Sequence, residues 1–496
     1  MRALAGLPEL IVTLAGRRLA AADAAAIISI RVRTALGQPA QCQLCWAAEG
    51  RLGVDPAVGD ALKVELGGHR RALFAGEVTV VEYGYAADTG RQLRVRGYDA
   101  LHRLRNRRSS RLHSDVDLAA LATALAAGTG LGVEAPGLHL GEVYQCGRSD
   151  LDLLVEQSAR AGRYPVVLDD TLRLADLAGE GEPVELTYGA QIHSAEVEVS
   201  GEPAFRSAEV SWWQPVDASS GEEAATDARS GAAVRADAAP DRVGGGGAIV
   251  RLDDLAPAGE LAQAELDARR AAEVTATVVA DGDPELRAGA RMRLTGLRGT
   301  LEGTYPITEA VHELSALGYE TTVSSRPPAG PPPRPPDQVT LGVVVDAADP
   351  NDQGRVLLRL PAYAGLTTGW APVLLPAAGA DKGVVALPAP DDTVLVLLPG
   401  RDPAHAVVLG GLYGSLNPPP AGAAERDRTM LLRTADGQQV SLDGVNHEIR
   451  LTDGRGSEVA LTPSQLRITA ATDLLIEAPG RALRVRARTV DFEEAS

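Results

Sequence analysis

The chain has 496 residues, a formal net charge of −18 and three cysteines. A chain of this length accommodates about two to four domains with a sizeable core. Its acidic surface repels nucleic acid, and three cysteines cannot form a disulfide framework. We therefore expect no nucleic-acid partner, and the cysteine content fits a reducing compartment. Aromatic residues make up 3% of a chain that is 45% hydrophobic, which predicts an aliphatic core.

The first hundred residues are predicted to be rich in strands. Apolar and β-branched runs alternate there with Gly, Pro and Asp turns. These runs are Leu10–Leu14, Ala26–Thr34, Ala61–Leu66, Phe74–Tyr83 and Gln92–Tyr98. Charged residues and a proline interrupt the apolar N-terminus, and no run approaches about 20 apolar residues. We therefore expect neither a secretory leader nor a membrane span.

Three helices are predicted among further strands. Ser114–Ala127 and Ser149–Ala161 each begin at a serine that suits an N-cap and end before a glycine, and Gly259–Glu273 is rich in alanine. Residues 214–248 have few bulky apolar side chains and end near four glycines, which predicts a mobile loop or irregular insertion. The further strands are expected at Pro165–Leu168, Leu172–Leu174, His193–Val199, Ala208–Trp213, Glu273–Val279 and Arg291–Leu294.

A proline-rich segment precedes the most distinctive part of the sequence. Proline occupies seven of the eleven positions in 326–336, so this linker is expected to be extended and stiff. The stretch from 340 to 417 then has five short apolar runs separated by turn formers, which is the size of an OB-fold barrel. The runs are Leu341–Val345, Val356–Leu360, Val384–Leu387, Val394–Leu398 and Val407–Leu409.

The turns of this stretch share a set of motif residues: Asp349, Pro350, Gly354, Arg355, Trp370, Gly379, Asp402, Pro403 and Gly410. In this order they resemble the OB domain of contractile-tail spike proteins. That family includes phage baseplate needles, the VgrG spikes of type VI secretion and the spikes of extracellular contractile injection systems. One position departs from the family pattern: Asp391 stands where a glycine is usual, and Asp tolerates a positive φ better than most residues.

A looser resemblance covers roughly residues 5–325. The segment 97–99, Gly-Tyr-Asp, precedes two predicted helices, and Gly303–Ile307 together with Gly318–Val323 is similar to the closing strands of the late-control D hub family. That resemblance implies a hub domain with two barrel-like units per chain, so that a trimer offers a ring with near six-fold symmetry to a hexameric tube.

After residue 429, apolar residues recur as i, i+2 pairs with a mean period of about 8 residues. Each unit is a strand too short to bury its own apolar face, and eight residues are too few for one coil of a single-chain solenoid. Several chains winding together would cover the stripe, and the resembled spikes do so as an intertwined triple-stranded β-prism. The pairs expected on that trimer axis are Val440/Leu442, Ile449/Leu451, Val459/Leu461, Leu466/Ile468, Leu474/Ile476 and Leu483/Val485; the final pair, Val490/Phe492, is assigned below to the tip.

No residue pattern indicates catalysis, a cofactor or a metal. The pair His312-Glu313 lies in an alternating strand, Cys42 and Cys45 lack a second pair of ligands, and the Asp349 turn is explained as an ordinary turn rather than a calcium loop. The short spacer 418–428 leaves no room for an enzyme domain, and the end of the sequence leaves none for an effector or a binding head. A hydrolase concealed in residues 130–250 and a tail fibre or adhesin are the alternatives.

The predicted protein is mainly β with a few helices and forms a homotrimer. It comprises a late-control D-like hub (1–325), a linker (326–339), an OB-fold (340–417), a short linker (418–428) and the β-prism (429–496). The expected function is the tube-attachment hub and central spike of a phage-tail-like injection machine that pierces an envelope. Expected partners are a hexameric inner tube protein, baseplate components, a PAAR-type tip protein docked at Val490, Asp491 and Phe492, and transiently the target membrane. Assembly is expected in the cytoplasm, within a particle that can be released.

Overall fold

The computed structural model describes residues 9–47, 53, 55–86, 90–201, 207–214, 219–230, 258–330, 336–415, 417–420 and 429–492. The fold is mainly β, as the sequence predicts. Its contacts divide the chain into two compact units, Met1–Gly410 and Gly411–Ser496. No helix within the described residues is long and apolar enough to cross a membrane.

The first unit contains most of the strands and all five described helices. Its strands before the OB-like barrel are β1 Leu10–Leu14, β2 Arg17–Arg18, β3 Ile27–Ala35, β4 Gln38–Ala47, β5 Ala61–Leu66, β6 Ala72–Ala86, β7 Gly90–Tyr98, β8 Arg108–Asp117, β9 Gly132–Glu134, β10 His139–Ser149, β11 Tyr164–Leu168, β12 Thr171–Ala175, β13 Glu180–Thr187, β14 Ile192–Val199, β15 Ala208–Gln214, β16 Ser219–Ala225, β17 Val274–Asp281, β18 Ala290–Thr295, β19 Gly303–Pro306, β20 Glu309–Ser315 and β21 Gly318–Ser324. The helices are α1 Ala21–Ala25, α2 Arg103–Asn106, α3 Leu118–Ala126, α4 Asp150–Arg160 and α5 Ala258–Glu273.

An eleven-stranded sheet joins two hydrophobic cores. Its order is β14-β17-β21-β20-β3-β4-β7-β6-β5-β1-β2, so β20 pairs with β21 on one side and with β3 on the other. Alternating side chains of β1 and β3–β7 fill the first core. Strands β14, β17 and β20–β21, with the small sheet β13-β18-β19, enclose the second core around Tyr305 and Met292. Two hydrophobic cores therefore share one continuous sheet.

The helices α2–α4 pack together beside this sheet. The N-cap residue was predicted correctly for α4 but not for α3. Ser149 caps α4 as predicted, accepting a hydrogen bond from the Asp152 amide at 3.1 Å. The prediction that Ser114 begins the preceding helix is wrong. Ser114 lies inside β8, which pairs with β10, and Asp117 is the cap of α3, accepting from the Ala120 amide at 2.7 Å. The expected apolar face of α3 is nevertheless buried.

The barrel that follows has five strands, but one of them is not where the sequence suggests. They are β22 Gln338–Asp346, β23 Val356–Leu360, β24 Leu366–Ala371, β25 Thr393–Leu398 and β26 Val407–Gly411, in the order β24-β23-β22-β25-β26. The sheet closes because the Leu374 amide donates to the Val408 carbonyl and the Val408 amide to the Pro372 carbonyl, at 2.8 and 2.9 Å. The predicted strand Val384–Leu387 is wrong: this run lies in a loop, with Val385 80% exposed.

The second unit is an antiparallel meander. Its strands are β27 Thr429–Arg433, β28 Gln439–Asp443, β29 Glu448–Thr452, β30 Glu458–Leu461 and β31 Leu466–Thr469, paired in sequence order. The turns between them have Asx-type bonds, such as Asp443 Oδ1 accepting from the amides of Val445 and Asn446. Within 470–492 the structure has no regular strand.

The segment 214–248 is only partly described. Ser219–Ala225 pairs with Ala208–Gln214 as a hairpin, so this part of the predicted loop is ordered secondary structure. The hairpin packs on α5 through Ala208, Val210, Ala262 and Leu266. Residues 215–218 and 231–248 of the predicted loop lie outside the described residues.

Candidate assembly surfaces

The Asp349 turn at the start of the barrel is a self-contained ion pair. The Asp349 carboxylate accepts hydrogen bonds from Arg355 Nε and Nη2 at 2.9 and 2.8 Å, and from the amides of Asn351, Gln353 and Arg355 at 3.0 to 3.2 Å. The Arg355 guanidinium, followed by these amides, holds the pKa of Asp349 well below its usual range. Every acceptor position of the carboxylate has a protein donor nearby, so this turn organises the barrel rather than offering a ligand site.

The other signature residues shape turns of the same barrel. Gly354 has a φ of +69°, which favours glycine, and Asp391 has a φ of +71°, so the aspartate does support the positive φ inferred for its turn. Asp402 caps the short 3₁₀ turn Pro403–His405 by accepting from the Ala404 amide at 3.0 Å. Pro350 is exposed, Trp370 lies in β24 opposite Leu357, Gly379 forms a two-bond bridge with Lys382, and Gly410 ends the first unit.

The barrel contacts the domain that precedes the linker, a contact that sequence reasoning missed. The Tyr144 hydroxyl in β10 accepts from the Gly369 amide of β24 at 2.8 Å and donates to Glu142 Oε2 at 3.1 Å. Burial raises the pKa of Tyr144, and burial followed by the Asp402 carboxylate raises the pKa of Cys146 to about 11. The two domains therefore form a polar joint, which a proline-rich linker alone did not indicate.

Four of the predicted apolar pairs, from Val440/Leu442 to Leu466/Ile468, lie together on one face of the meander. Val440 is opposite Leu451, and Leu442 is opposite Ile449. The register then continues from Ile449 to Leu461 and from Leu461 to Leu466. The large apolar side chains of this face from Leu442 to Ile468, apart from the half-buried Val459, are 40% to 64% exposed, an unusually continuous aliphatic surface.

The opposite face of the meander is polar and internally paired. Arg450 bonds Glu448 and Glu458, and its position alternates with Ile449 and Leu451. Beyond the last strand, Leu474, Ile476, Leu483 and Val485 are all exposed, and Phe492 is 93% exposed. Val490 and Asp491 are exposed beside it. Within the described chain, these residues therefore lack the apolar neighbours that an axis would supply.

The side chains considered for chemistry are placed apart or in the core. His312 is 1% exposed, with Nδ1 3.0 Å from both the Tyr319 hydroxyl and Thr321 Oγ1, whereas Glu313 projects from the other face of β20 to Arg31. Burial lowers the pKa of His312 to about 4. Cys42 and Cys45 are three positions apart on β4 and project to opposite faces, so they cannot chelate one ion. Burial raises the pKa of the Cys42 thiol.

Three solved structures align with this chain at low sequence identity. A chain of the Francisella PdpA–VgrG complex aligns over 94% of this chain and 89% of its own, at 7% identity and a TM-score of 0.53. An E. coli component of the type VI secretion system, described as similar to the phage T4 tail proteins gp27 and gp5, aligns over 78% and 96%, at 13% identity and a TM-score of 0.51. The 43 kDa tail protein of prophage MuSo2 from Shewanella oneidensis aligns over 64% and 96%, at 14% identity and a TM-score of 0.47.

Family models locate this likeness along the sequence. Residues 340–413 match the type VI secretion system/phage-baseplate injector OB domain, the stretch in which the spike motifs were found. The fold is thus VgrG-like, with an injector OB barrel. Residues 57–316 match the Alg8 N-terminal domain; since this is more than half of the chain, the chain belongs to that family. No curated protein matches the sequence.

Proposed function

We propose that three copies of this chain form the hub and central spike of a contractile injection machine. The observation that carries the proposal is the aliphatic face of β27–β31, which continues as exposed i, i+2 pairs to residue 485 in a chain whose fold is VgrG-like. If three such faces packed together on one axis, their apolar side chains would be buried away from water and the open strand edges of each meander would be paired. The result is the intertwined β-prism, a thin and stiff body suited to piercing an envelope.

The remaining parts of the machine follow from the same symmetry. The shared sheet with two barrel-like halves would give six such halves in a trimer, on which a hexameric inner tube and the baseplate dock. The barrels would form a collar, since β22 has Val339, Leu341 and Val345 half-exposed on its outer face. The far end, with Val490, Asp491 and Phe492, would receive a PAAR-type tip. Assembly would take place in the cytoplasm, within a particle that can be released.

The subunit count is the first test. Light scattering of the purified full chain should give about three times the chain mass of 51.6 kDa, with no concentration-dependent return to monomer in dilute buffer. A well-folded monomer at the same concentrations would contradict the proposal.

Tip docking and tube docking need separate experiments. Ending the chain after Ala424 should leave a soluble hub that retains the tube protein and loses the tip protein in co-purification. Equal recovery of the tip with this truncation would show that the docking segment is misassigned. Muramidase and esterase assays of the full trimer should show no activity above a buffer control, and activity abolished by a single carboxylate or serine change would instead favour an enzyme-bearing spike.

A further inference from the structure

Four arginines are concentrated near the end of the second unit. Arg481, Arg484, Arg486 and Arg488 lie in a stretch, residues 478–490, that contains no Asp or Glu, although the whole chain has 66 acidic and 48 basic residues. The nearest acidic residues along the chain are Glu477 and Asp491, and Glu493 and Glu494 follow. This is a local cationic segment in an acidic protein.

All four arginine side chains are exposed, and the described residues supply them with no partner. No ion pair or side-chain hydrogen bond within the described part of the chain involves any of the four. Arg450 in β29 differs, because Glu448 and Glu458 neutralise it. A cation without an intramolecular counter-charge is available to an external anion.

The spacing gives this segment two chemically distinct sides. Arg484, Arg486 and Arg488 alternate with Leu483, Val485 and Ala487, so an extended chain projects the guanidinium groups to one side and the apolar groups to the other. If Leu483 and Val485 face the shared axis, the arginines face outwards. Three arginines per chain, Arg484, Arg486 and Arg488, then give nine in a trimer, arranged around the spike just behind its docking end.

We propose that this arginine collar binds the phosphate groups of an anionic lipid surface. The inference rests on the proposed spike, because only a spike would bring residues 481–488 against a membrane. A protein with a net charge of −18 is repelled by an anionic bilayer over most of its surface, so close approach needs a local basic segment. Long unpaired side chains projecting sideways suit many phosphate positions, whereas an end-on protein partner would contact the segment 490–492.

Vesicle binding of the full-length chain tests this proposal. Sedimentation with phosphatidylcholine vesicles containing about 30% phosphatidylglycerol should recover the wild type at low salt, with much weaker recovery at high salt and on pure phosphatidylcholine. The triple variant Arg484→Gln, Arg486→Gln, Arg488→Gln should bind at least about 100-fold more weakly, since a loss of about fivefold for each of the three arginines of a single chain already gives that factor. The Arg→Lys triple variant should retain binding within about fivefold, because a point charge serves a lipid phosphate.

Matched controls separate a collar from general charge. The triple variant Arg433→Gln, Arg455→Gln, Arg467→Gln removes three exposed arginines from the same unit and should bind like the wild type. The proposal would be overturned if the two Arg→Gln triple variants lost vesicle binding equally. It would also be overturned if the wild-type protein bound pure phosphatidylcholine vesicles as well as it binds the anionic ones. Loss of a co-purified tip protein from the 484/486/488 variant with unchanged vesicle binding would overturn it in favour of a protein partner.

Light scattering of the same preparations distinguishes the two proposals. If the protein is a trimer but does not bind anionic vesicles, the lipid-binding proposal is refuted and the proposed spike function is unaffected. A monomer refutes the spike, whatever the vesicles show.

Discussion

The barrel β22–β26 and the meander β27–β31 have similar sequences of short strands, but they differ in how far their aliphatic side chains are buried. Each has five short strands with aliphatic residues at alternate positions. In the barrel, Val356, Leu358 and Val396 are 0% exposed, whereas Leu442 and Ile449 in the meander are 40% and 45% exposed. The difference is closure: the segment just after β24 bonds to Val408 of β26 through Pro372 and Leu374, whereas the described strands of the meander have no such closing contact. Alternation therefore indicates a surface to be covered, while topology decides whether the same chain covers it.

The largest expected effect comes from placing a charged side chain among the exposed apolar pairs that follow β31. Leu474→Asp or Ile476→Asp would place three carboxylates on the proposed axis, at several kcal/mol each unless they are protonated. The variants should lose the trimer in light scattering. Leu475→Asp is the matched control, because Leu475 alternates with Leu474 and Ile476 and is also exposed in one chain. Retention of trimers by all three variants would contradict the axis.

Removing an aliphatic group inside the barrel should have a smaller, purely intramolecular effect. Leu358 is 0% exposed, so Leu358→Ala should lower the free energy of unfolding of the first unit by about 2–5 kcal/mol. Denaturant unfolding should show this loss at every protein concentration. The matched change Leu442→Ala should act instead through the concentration dependence of assembly. A concentration-dependent effect of Leu358→Ala would mean that the barrel, like the meander, depends on other copies.

The buried His312 makes the stability of the first unit depend on pH. Burial lowers its pKa to about 4 from 6.5, so the unfolded chain takes up a proton as the pH falls below 6.5 while the folded chain does not. Its contribution is therefore lost between pH 6.5 and 4, by about 3 kcal/mol. Asp99 acts oppositely, because burial raises its pKa from 3.8 to about 7 and its contribution is lost as the pH rises through that range. His312→Gln isolates the histidine: the difference in unfolding free energy from wild type should change across pH 4–6.5, and a constant difference would refute it.

Local patterns in the sequence were sufficient to predict structure wherever a residue interacts with residues close to it in the sequence. Ser149 was predicted to cap its helix from the residues just after it, and Asp391 to support a positive φ from its chemistry alone. The i, i+2 pairs gave the apolar face of the meander because a strand alternates with period two.

The errors have a common physical cause, which is a partner distant in sequence. Ser114 had the local features of a cap, but β8 is held by β10. The run Val384–Leu387 is apolar enough for a strand, yet the edge of β23 is taken by Leu366–Ala371, a less hydrophobic segment whose Thr368 hydroxyl accepts from the Leu358 amide at 3.2 Å. The joint between Tyr144 and Gly369 spans 225 positions and leaves no local pattern.

Breaking the hydrogen bond between Tyr144 and Gly369 should have the smallest effect of the changes considered. It is a polar contact within one chain, whereas the apolar face of the meander is expected to act between chains. Tyr144→Phe removes the hydroxyl that accepts from the Gly369 amide while keeping the ring, so it should cost about 1 kcal/mol of unfolding free energy. Tyr363→Phe is a matched control, since its hydroxyl bonds Gln338 within the barrel. Hydrogen exchange should become faster at the Gly369 amide in Tyr144→Phe only, and the mass measured by light scattering should match that of the wild type. Exchange at Gly369 that is equal in both variants would mean that this bond does not hold the barrel to the preceding domain, and that the linker alone sets their contact.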